Sequence, residues 1–341
     1  MSSHTKPSGE FDLIERFFKT GADSLRTAGD FGITLGIGDD CALIKPFVNE
    51  EIAITSDMLV ENRHFFANAD PELLGRKALA VNLSDLAAMG ARPLGFMLAI
   101  ALPKVDEAWL KSFSKGLFAT AQEYSCPLIG GDTTAGPLTI SITAFGSTPS
   151  GKSIRRSGAK AGHDIWVSGS VGDARLTLAA LRHEMNLPKE DLQRVEHRMH
   201  QPRPRVELGM QLRDVASAAL DVSDGLLGDL CHILMQSQVD AQVELDRLPK
   251  SSTLQKQSAS IQNLFASCGG DDYELCFTAH PSQREKIQVI SNTLNLPLTF
   301  IGKILPRENI DVKIHLLDAS GNQLSDKESA PFLKSFDHFA S

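Results

Sequence analysis

The chain has 341 residues, room for two domains, and its 42% hydrophobic and 22% charged composition excludes collagen-like, coiled-coil and largely disordered classes. A formal net charge of −8 and a pI near 5.7 argue against a broad nucleic-acid surface, but not against small anions held through metal ions. The longest apolar run, residues 96–102, is strand-sized, so no membrane span is expected.

Residues 10–19 read as a short helix with Phe11, Ile14, Phe17 and Phe18 on one face. A strand is expected over 51–56. Asp70 as N-cap and Pro71 at the first helical position open a long helix that stops at Gly90. A strand at 94–102 follows, then a helix capped by Asp106 and reaching Tyr124, then strands at 127–129 and 138–145. Between 146 and 162 glycine, proline and basic residues replace the apolar period, and the domain boundary is placed there, giving residues 1–150 and 151–341. The second half resumes with a strand at 165–168 and helices at 172–184 and 205–218. A strand at 219–222, a helix at 224–238 and a polar loop at 247–262 follow, then strands at 273–278, 297–301 and 311–316. This alternation predicts two α/β domains, α+β in arrangement with mixed sheets. The polar start of the chain shows no apolar secretory core. The five cysteines (Cys41, Cys126, Cys231, Cys268, Cys276) form no C-x-x-C pair. Both features point to reduced thiols and a cytoplasmic protein.

Residues 146–153 match the phosphate-cradling pattern G-x-x-x-x-G-K-S literally. A phosphate loop needs a helix starting at its lysine, whose free N–H groups hold the phosphates. Gly158 and Gly162 interrupt the segment instead, so a flexible basic loop is expected, with Arg155, Arg156 or Lys160 able to touch phosphate. His197 and His200 lie in a polar, basic stretch and read as surface residues.

The informative feature is a set of carboxylates beside glycines or within apolar surroundings: Asp39-Asp40, Asp57, Asp85, Asp132, Asp221, Asp224 and Asp271-Asp272. Individually, Asp224 also suits a helix N-cap, Asp39-Asp40 a solvated turn and Asp132 an Asx-turn. Asp85 is harder to explain that way. It shares a helix face with Asn82 beside Leu79, Leu83 and Leu86, where a carboxylate is costly unless paired or metal-bound. As a group the acids suit a hard cation such as magnesium, which takes carboxylates, phosphates and water.

Five blocks carry a resemblance: residues 36–44 (GIGDDCALI), 77–91 (KALAVNLSDLAAMGA), 128–137 (LIGGDTTAGP), 221–230 (DVSDGLLGDL) and 269–278 (GGDDYELCFT). The chain resembles, over nearly its whole length, the thiamine-monophosphate kinase family of the aminoimidazole ribonucleotide synthetase superfamily. The resemblance implies a two-domain, aminoimidazole ribonucleotide synthetase-like architecture. In it the N-terminal domain carries the metal and ATP site and forms a homodimer barrel, while the C-terminal domain completes the nucleotide and substrate sites. It implies transfer of the ATP γ-phosphate to thiamine monophosphate, giving thiamine diphosphate and ADP, with several magnesium ions. Metal ligands would be Asp40, Thr55, Ser56, Asp57, Asp85, Asp132, Asp221 and Asp224. ATP contacts would be Gly131, Asp132, Arg156 and Ser223; substrate contacts would be His64, Asp271 and Phe336. No nucleic-acid or membrane partner is expected. Asp271 stands one methylene short of the family's usual Glu, and Phe336 stands where Tyr is frequent.

Such chemistry explains the acids. Two unit charges 4 Å apart interact by about 4 kcal/mol at an effective dielectric of 20, and two dianions by about four times that, so the phosphates must be neutralised to meet. The acceptor is already an ionised phosphate oxygen, so no general base is expected. Charge stabilisation by the metal ligands and Arg156, with direct in-line transfer, is expected instead.

Overall fold

The computed structural model describes residues 33–35 and 42–336. The helix expected at 10–19 and the Asp39-Asp40 turn lie outside them.

The first half builds one six-stranded sheet: β1 (Ile33–Leu35), β2 (Ala42–Phe47), β3 (Glu50–Val60), β4 (Arg92–Leu102), β5 (Leu128–Ala135) and β6 (Thr139–Pro149). The order is β1-β2-β3-β6-β4-β5, antiparallel except for the parallel β4–β5 pair. Two helices cover one face, α1 (Pro71–Ala88) and α2 (Glu107–Glu123). Helix α1 starts where expected: the Asp70 carboxylate accepts from Glu72 N (2.9 Å) and Leu73 N (3.0 Å), and Pro71 needs no partner. It ends before Gly90, which adopts a φ of 68°. Its amphipathic stripe is not the whole story. Leu79, Leu83 and Leu86 are buried on one side, and Lys77, Asn82 and Ser84 are buried as well, so the helix is enclosed on nearly all sides.

The second half repeats the plan with a second six-stranded sheet. Its strands are β7 (Asp164–Ser168), β8 (Ala216–Asp221), β9 (Val239–Glu244), β10 (Leu275–Ala279), β11 (Leu298–Pro306) and β12 (Ile314–Leu317), in the order β12-β9-β11-β7-β10-β8. Only β12–β9 is parallel. The helices are α3 (Asp173–Leu181), α4 (Lys189–His200), α5 (Val206–Leu212), α6 (Leu226–Ser237), α7 (Ala259–Cys268), α8 (Arg284–Leu294) and the short α9 (Asp326–Ser329). Helices α3, α6 and α7 pack on one face of the sheet around Val167, Leu220 and Cys276.

The opposite face of that sheet joins the core of the first half. Leu79, Leu83, Leu86 and Phe96 share one cluster with Val206 and Leu212 of α5, with Leu275 and Phe277 of β10, and with Ile287 and Ile290 of α8. The backbones meet closely there, since a Cβ on Gly209 of α5 would lie 2.0 Å from the Ala87 carbonyl of α1.

Three expectations shift. The helix expected at 205–218 is only α5, because Asp214 turns left-handed (φ 62°) and the chain enters β8 at Ala216. The buried Leu212 and Val215 suit either period. The polar loop at 247–262 contains the end of one 3₁₀ turn (Leu245–Arg247), a second (Leu254–Lys256) and the start of α7, capped by Ser258. The glycine-rich segment after 127–129 is strand, not turn: Gly131 and Asp132 pair with Leu98 and Ala99.

Candidate functional site

Thr55, Ser56 and Asp57 lie on β3, against Ala144, Thr143 and Ile142 of β6. Buried Thr55 donates its hydroxyl to the Asp85 carboxylate of α1, so the costly acid on that helix is answered from the strand beside it. Asp57 N donates to Asn82 Oδ1 (3.2 Å), a second tie between the same two elements. Ser56 is exposed and its hydroxyl sits 3.0 Å from Thr143 Oγ1.

Asp221 closes β8 and is buried; Asp224 follows in the turn into α6. Asp224 is not the helix cap. Gly225 holds that position at a φ of 123°, with its would-be Cβ 2.8 Å from Cys268 Cα, a place only glycine fills. The capping task falls to Asp229, one turn inside. Its Oδ2 accepts from the backbone N–H groups of Ser223 (3.0 Å), Asp224 (3.1 Å) and Gly225 (3.2 Å). Burial, with Asp224 and Asp221 nearby, pushes Asp229 well above the usual carboxylate range, opposed by Arg156. Arg156 thus belongs to the same corner; its backbone carbonyl is anchored by Ser237 Oγ (2.7 Å).

The segment 269–273 crosses over this corner. Asp271 N donates to Ser223 O (2.6 Å) and Tyr273 N to Val222 O (2.8 Å). Tyr273 reports where the acids converge. Burial raises its phenol well above its ordinary value, reinforced by Asp271, by Asp57 of the first half, and by Asp221 and Asp224 of the second. Carboxylates from both halves therefore lie near enough to Tyr273 to act on it.

The substrate set meets beside it. Asp271 pairs with buried Lys77 of α1, whose Nζ also donates to Met199 O (3.0 Å). Lys77, His64, Leu73, Met199 and His200 line one small pocket. His64 Nδ1 accepts from Val60 N (2.9 Å), which in the neutral ring leaves the proton on Nε2. Phe336 N bonds Asp224 O (3.0 Å) and its ring lies 4.9 Å from the Arg63 guanidinium, so the tail spans from the Asp224 turn to the residue before His64.

Other expected residues are not gathered. Asp40 lies outside the described residues. Gly131 and Asp132 are exposed on edge strand β5, three strand spacings from β3, about 14 Å. Among the described residues no three His, Cys, Asp or Glu side chains group tightly enough to hold a metal ion. The donor chemistry nonetheless fits magnesium: Thr55, Ser56, Asp57, Asp85, Asp221 and Asp224 offer only oxygen, and Asp221 and Asp224 add to burial in raising Asp229. The segment 146–153 does not build a phosphate loop. Its first residues continue β6, only a 3₁₀ turn at Arg156–Gly158 follows in place of an α-helix at the lysine, and Lys152 pairs with Asp214 (2.6 Å) at the surface. Lys77, Tyr273 and Glu274 went unmarked in the sequence although they lie inside the 77–91 and 269–278 blocks. Their signal was burial of polar groups, which spacing does not show. His200 is half-buried in the pocket beside Lys77, not a surface residue.

Two family models match the chain. Residues 38–148 match the N-terminal domain, and residues 160–315 the C-terminal domain, of AIR synthase related protein. The chain is 45% identical over 298 residues to the thiamine-monophosphate kinase of Salmonella typhimurium, covering 87% of this chain and 90% of that one. The crystal structure of thiamine-monophosphate kinase from Stenotrophomonas maltophilia superposes with a TM-score of 0.75 at 44% identity, covering 89% of this chain and 96% of that one. AaThiL complexed with AMPPCP and TMP superposes with a TM-score of 0.79 at 27% identity, covering 99% and 100%. With its two mixed α/β domains and this degree of identity, the chain belongs to the thiamine-monophosphate kinase family.

Proposed function

We propose that the chain transfers the γ-phosphate of ATP to thiamine monophosphate, giving thiamine diphosphate and ADP, in a magnesium-dependent, direct in-line step. The observation that carries this reading is the meeting of Asp57 from one half with Asp221, Asp224 and Asp271 from the other around Tyr273. Asp40, Thr55, Ser56, Asp57, Asp85, Asp132, Asp221 and Asp224 would hold the magnesium ions. Bound magnesium supplies the positive charge that lets two phosphates approach.

The chain's own residues position and shield. Gly131, Asp132, Arg156 and Ser223 are assigned to ATP, with Arg156 offsetting negative charge beside Asp224. His64 offers an Nε2–H to a phosphate oxygen, and Phe336 an apolar face to a cationic ring. Asp271, drawn to Lys77, is assigned to the acceptor. No residue acts as general base, because the attacking oxygen is ionised already.

We assign residues 1–150 to the metal and ATP site and the homodimer barrel, and residues 151–341 to completing the nucleotide and substrate sites. Met58 and Met97, on β3 and β4, are 56% and 42% exposed, in keeping with a sheet face that a second copy covers. A cytoplasmic setting belongs to the same proposal; among the described residues no helix is long and apolar enough to cross a membrane.

The test is product formation. Incubation with ATP, magnesium and thiamine monophosphate should yield thiamine diphosphate, separated chromatographically, and chelation should abolish it. Folded protein that forms no product at millimolar magnesium would refute the assignment.

A further inference from the structure

The cleft-facing residues Asp271 and Tyr273 sit in a conformation that L-residues avoid. Gly270, Asp271 and Tyr273 have φ of 69°, 62° and 51°. Each non-glycine residue held there costs on the order of 1–3 kcal/mol, so the surroundings must over-determine the turn. The pins are the residues between and after. Asp272 is buried and both its carboxylate oxygens accept from Gly172 N, at 2.9 and 3.0 Å.

Glu274 is the stronger pin. Its side chain is fully buried, and four donors converge on it. Oε1 accepts from Arg198 Nη2 (2.6 Å) and from Arg205 Nη2; Oε2 accepts from Arg205 Nε (2.6 Å) and Ser168 Oγ (2.5 Å). Four lone-pair directions thus have four partners, and Arg205 engages as a two-pronged fork. Arg205 is the residue from which α5 starts, and α5 lies on α1, the helix that carries Lys77, Asn82 and Asp85. Through Glu274 it ties that helix to the turn carrying Asp271.

We propose that Arg205 is a positioning residue for the phosphate transfer: its fork on Glu274 fixes the 270–273 turn so that Asp271 faces the acceptor. Arg205 is not among the residues assigned to the acceptor or to ATP. The proposal rests on the kinase reading above. Of the residues assigned to ATP, Ser223 touches this turn through its carbonyl, which accepts from Asp271 N (2.6 Å), while Gly131 and Arg156 are held elsewhere, so the loss should fall mainly on the acceptor.

The experiment compares the full-length chain with Arg205→Ala, Arg205→Lys and the milder Ser168→Ala. Steady-state kinetics are varied in each substrate, and amide hydrogen exchange is followed by mass spectrometry. Arg205→Ala should raise KM for thiamine monophosphate at least tenfold with KM for ATP changed less than threefold. Exchange should quicken in peptides covering 269–275 and not in peptides from β6. Arg205→Lys, which restores one prong, should recover part of the loss. Should Arg205→Ala fail to fold, Ser168→Ala should show the same pattern a few-fold in size. Equal losses for both substrates, exchange rising throughout the chain, or an unchanged 269–275 segment would each overturn the proposal. An inactive wild type would refute the kinase assignment instead, while the exchange measurement would still decide whether Arg205 fixes the turn.

Discussion

Replacing Glu274 with Gln keeps the shape of the buried network and removes its charge. The side chain is fully buried, and the two guanidiniums it pairs with are 11% and 15% exposed. At a charge separation near 4 Å and an effective dielectric of 20, each pair is worth about 4 kcal/mol of Coulomb energy, so roughly 8 kcal/mol of attraction disappears. Part returns. Glu274 is one of the groups holding Asp272 above the usual carboxylate range, so its neutralisation lets Asp272 ionise more readily beside Arg198. An amide oxygen also still accepts from one arginine. The net cost should fall at about 3 kcal/mol, the low end for breaking a buried pair while leaving its partner charged. The chain has two tryptophans, Trp109 on α2 and Trp166 on β7, so a Trp109→Phe background lets Trp166 report on the second sheet alone. In urea, with a slope near 2 kcal/mol per molar, the midpoint should drop by roughly 1.5 M. A drop under about 0.3 M would mean that Glu274 carries no charge-dependent stability and would refute the reasoning.

Asp57→Asn and Asp224→Asn should each lower turnover at least 100-fold while leaving the thermal midpoint unchanged or higher, since each removes negative charge from a crowded corner; normal turnover at low magnesium would refute the ligand assignment. Lys152→Ala should leave kcat within twofold and stability within about 1 kcal/mol, the range for exposed ion pairs, as its partner Asp214 is at the surface; a loss of orders of magnitude would restore the phosphate-loop alternative. Burial, helped by Arg156, lowers the His232 imidazole from 6.5 to about 4. Between those values the unfolded chain binds a proton that the folded chain refuses, so stability is complete above the unfolded pKa and falls as pH drops toward 4, by roughly 3 kcal/mol. His232→Gln should flatten the thermal midpoint between pH 7 and pH 5, and an unchanged slope would contradict this.

Elements with strong local grammar were legible in the sequence. The Asp70-Pro71 start and Gly90 stop bracket α1, and Asp106 caps α2 as expected, because caps are written within four residues. The site was legible as a set of acids and not as a geometry. Asp57, Asp221, Asp224 and Asp271 all act on Tyr273, and nothing in their spacing says that β3 and the 269–273 turn lie so near one another. Asp224 shows the limit: a carboxylate ahead of a helix reads as its cap, and only the fold reveals that Asp229 reaches back to take that task. Helix α4 goes unmarked although Leu192, Val195 and Met199 repeat at helical spacing, because charged and polar residues surround them, yet it supplies Arg198 and Met199 to the interior.

The continuity of apolar packing from α1 through α5 to β10 and α8 has a practical side. Severing the chain near residue 150 would not yield two tidy modules. The leading fragment would expose Leu79 and Leu86 to water, and the trailing one would lay bare Leu275 and Phe277. Opening and closing of the cleft by swinging rigid lobes would tear the same seam. Access for reactants would then fall to smaller pieces of backbone, such as the stretch that carries Phe336.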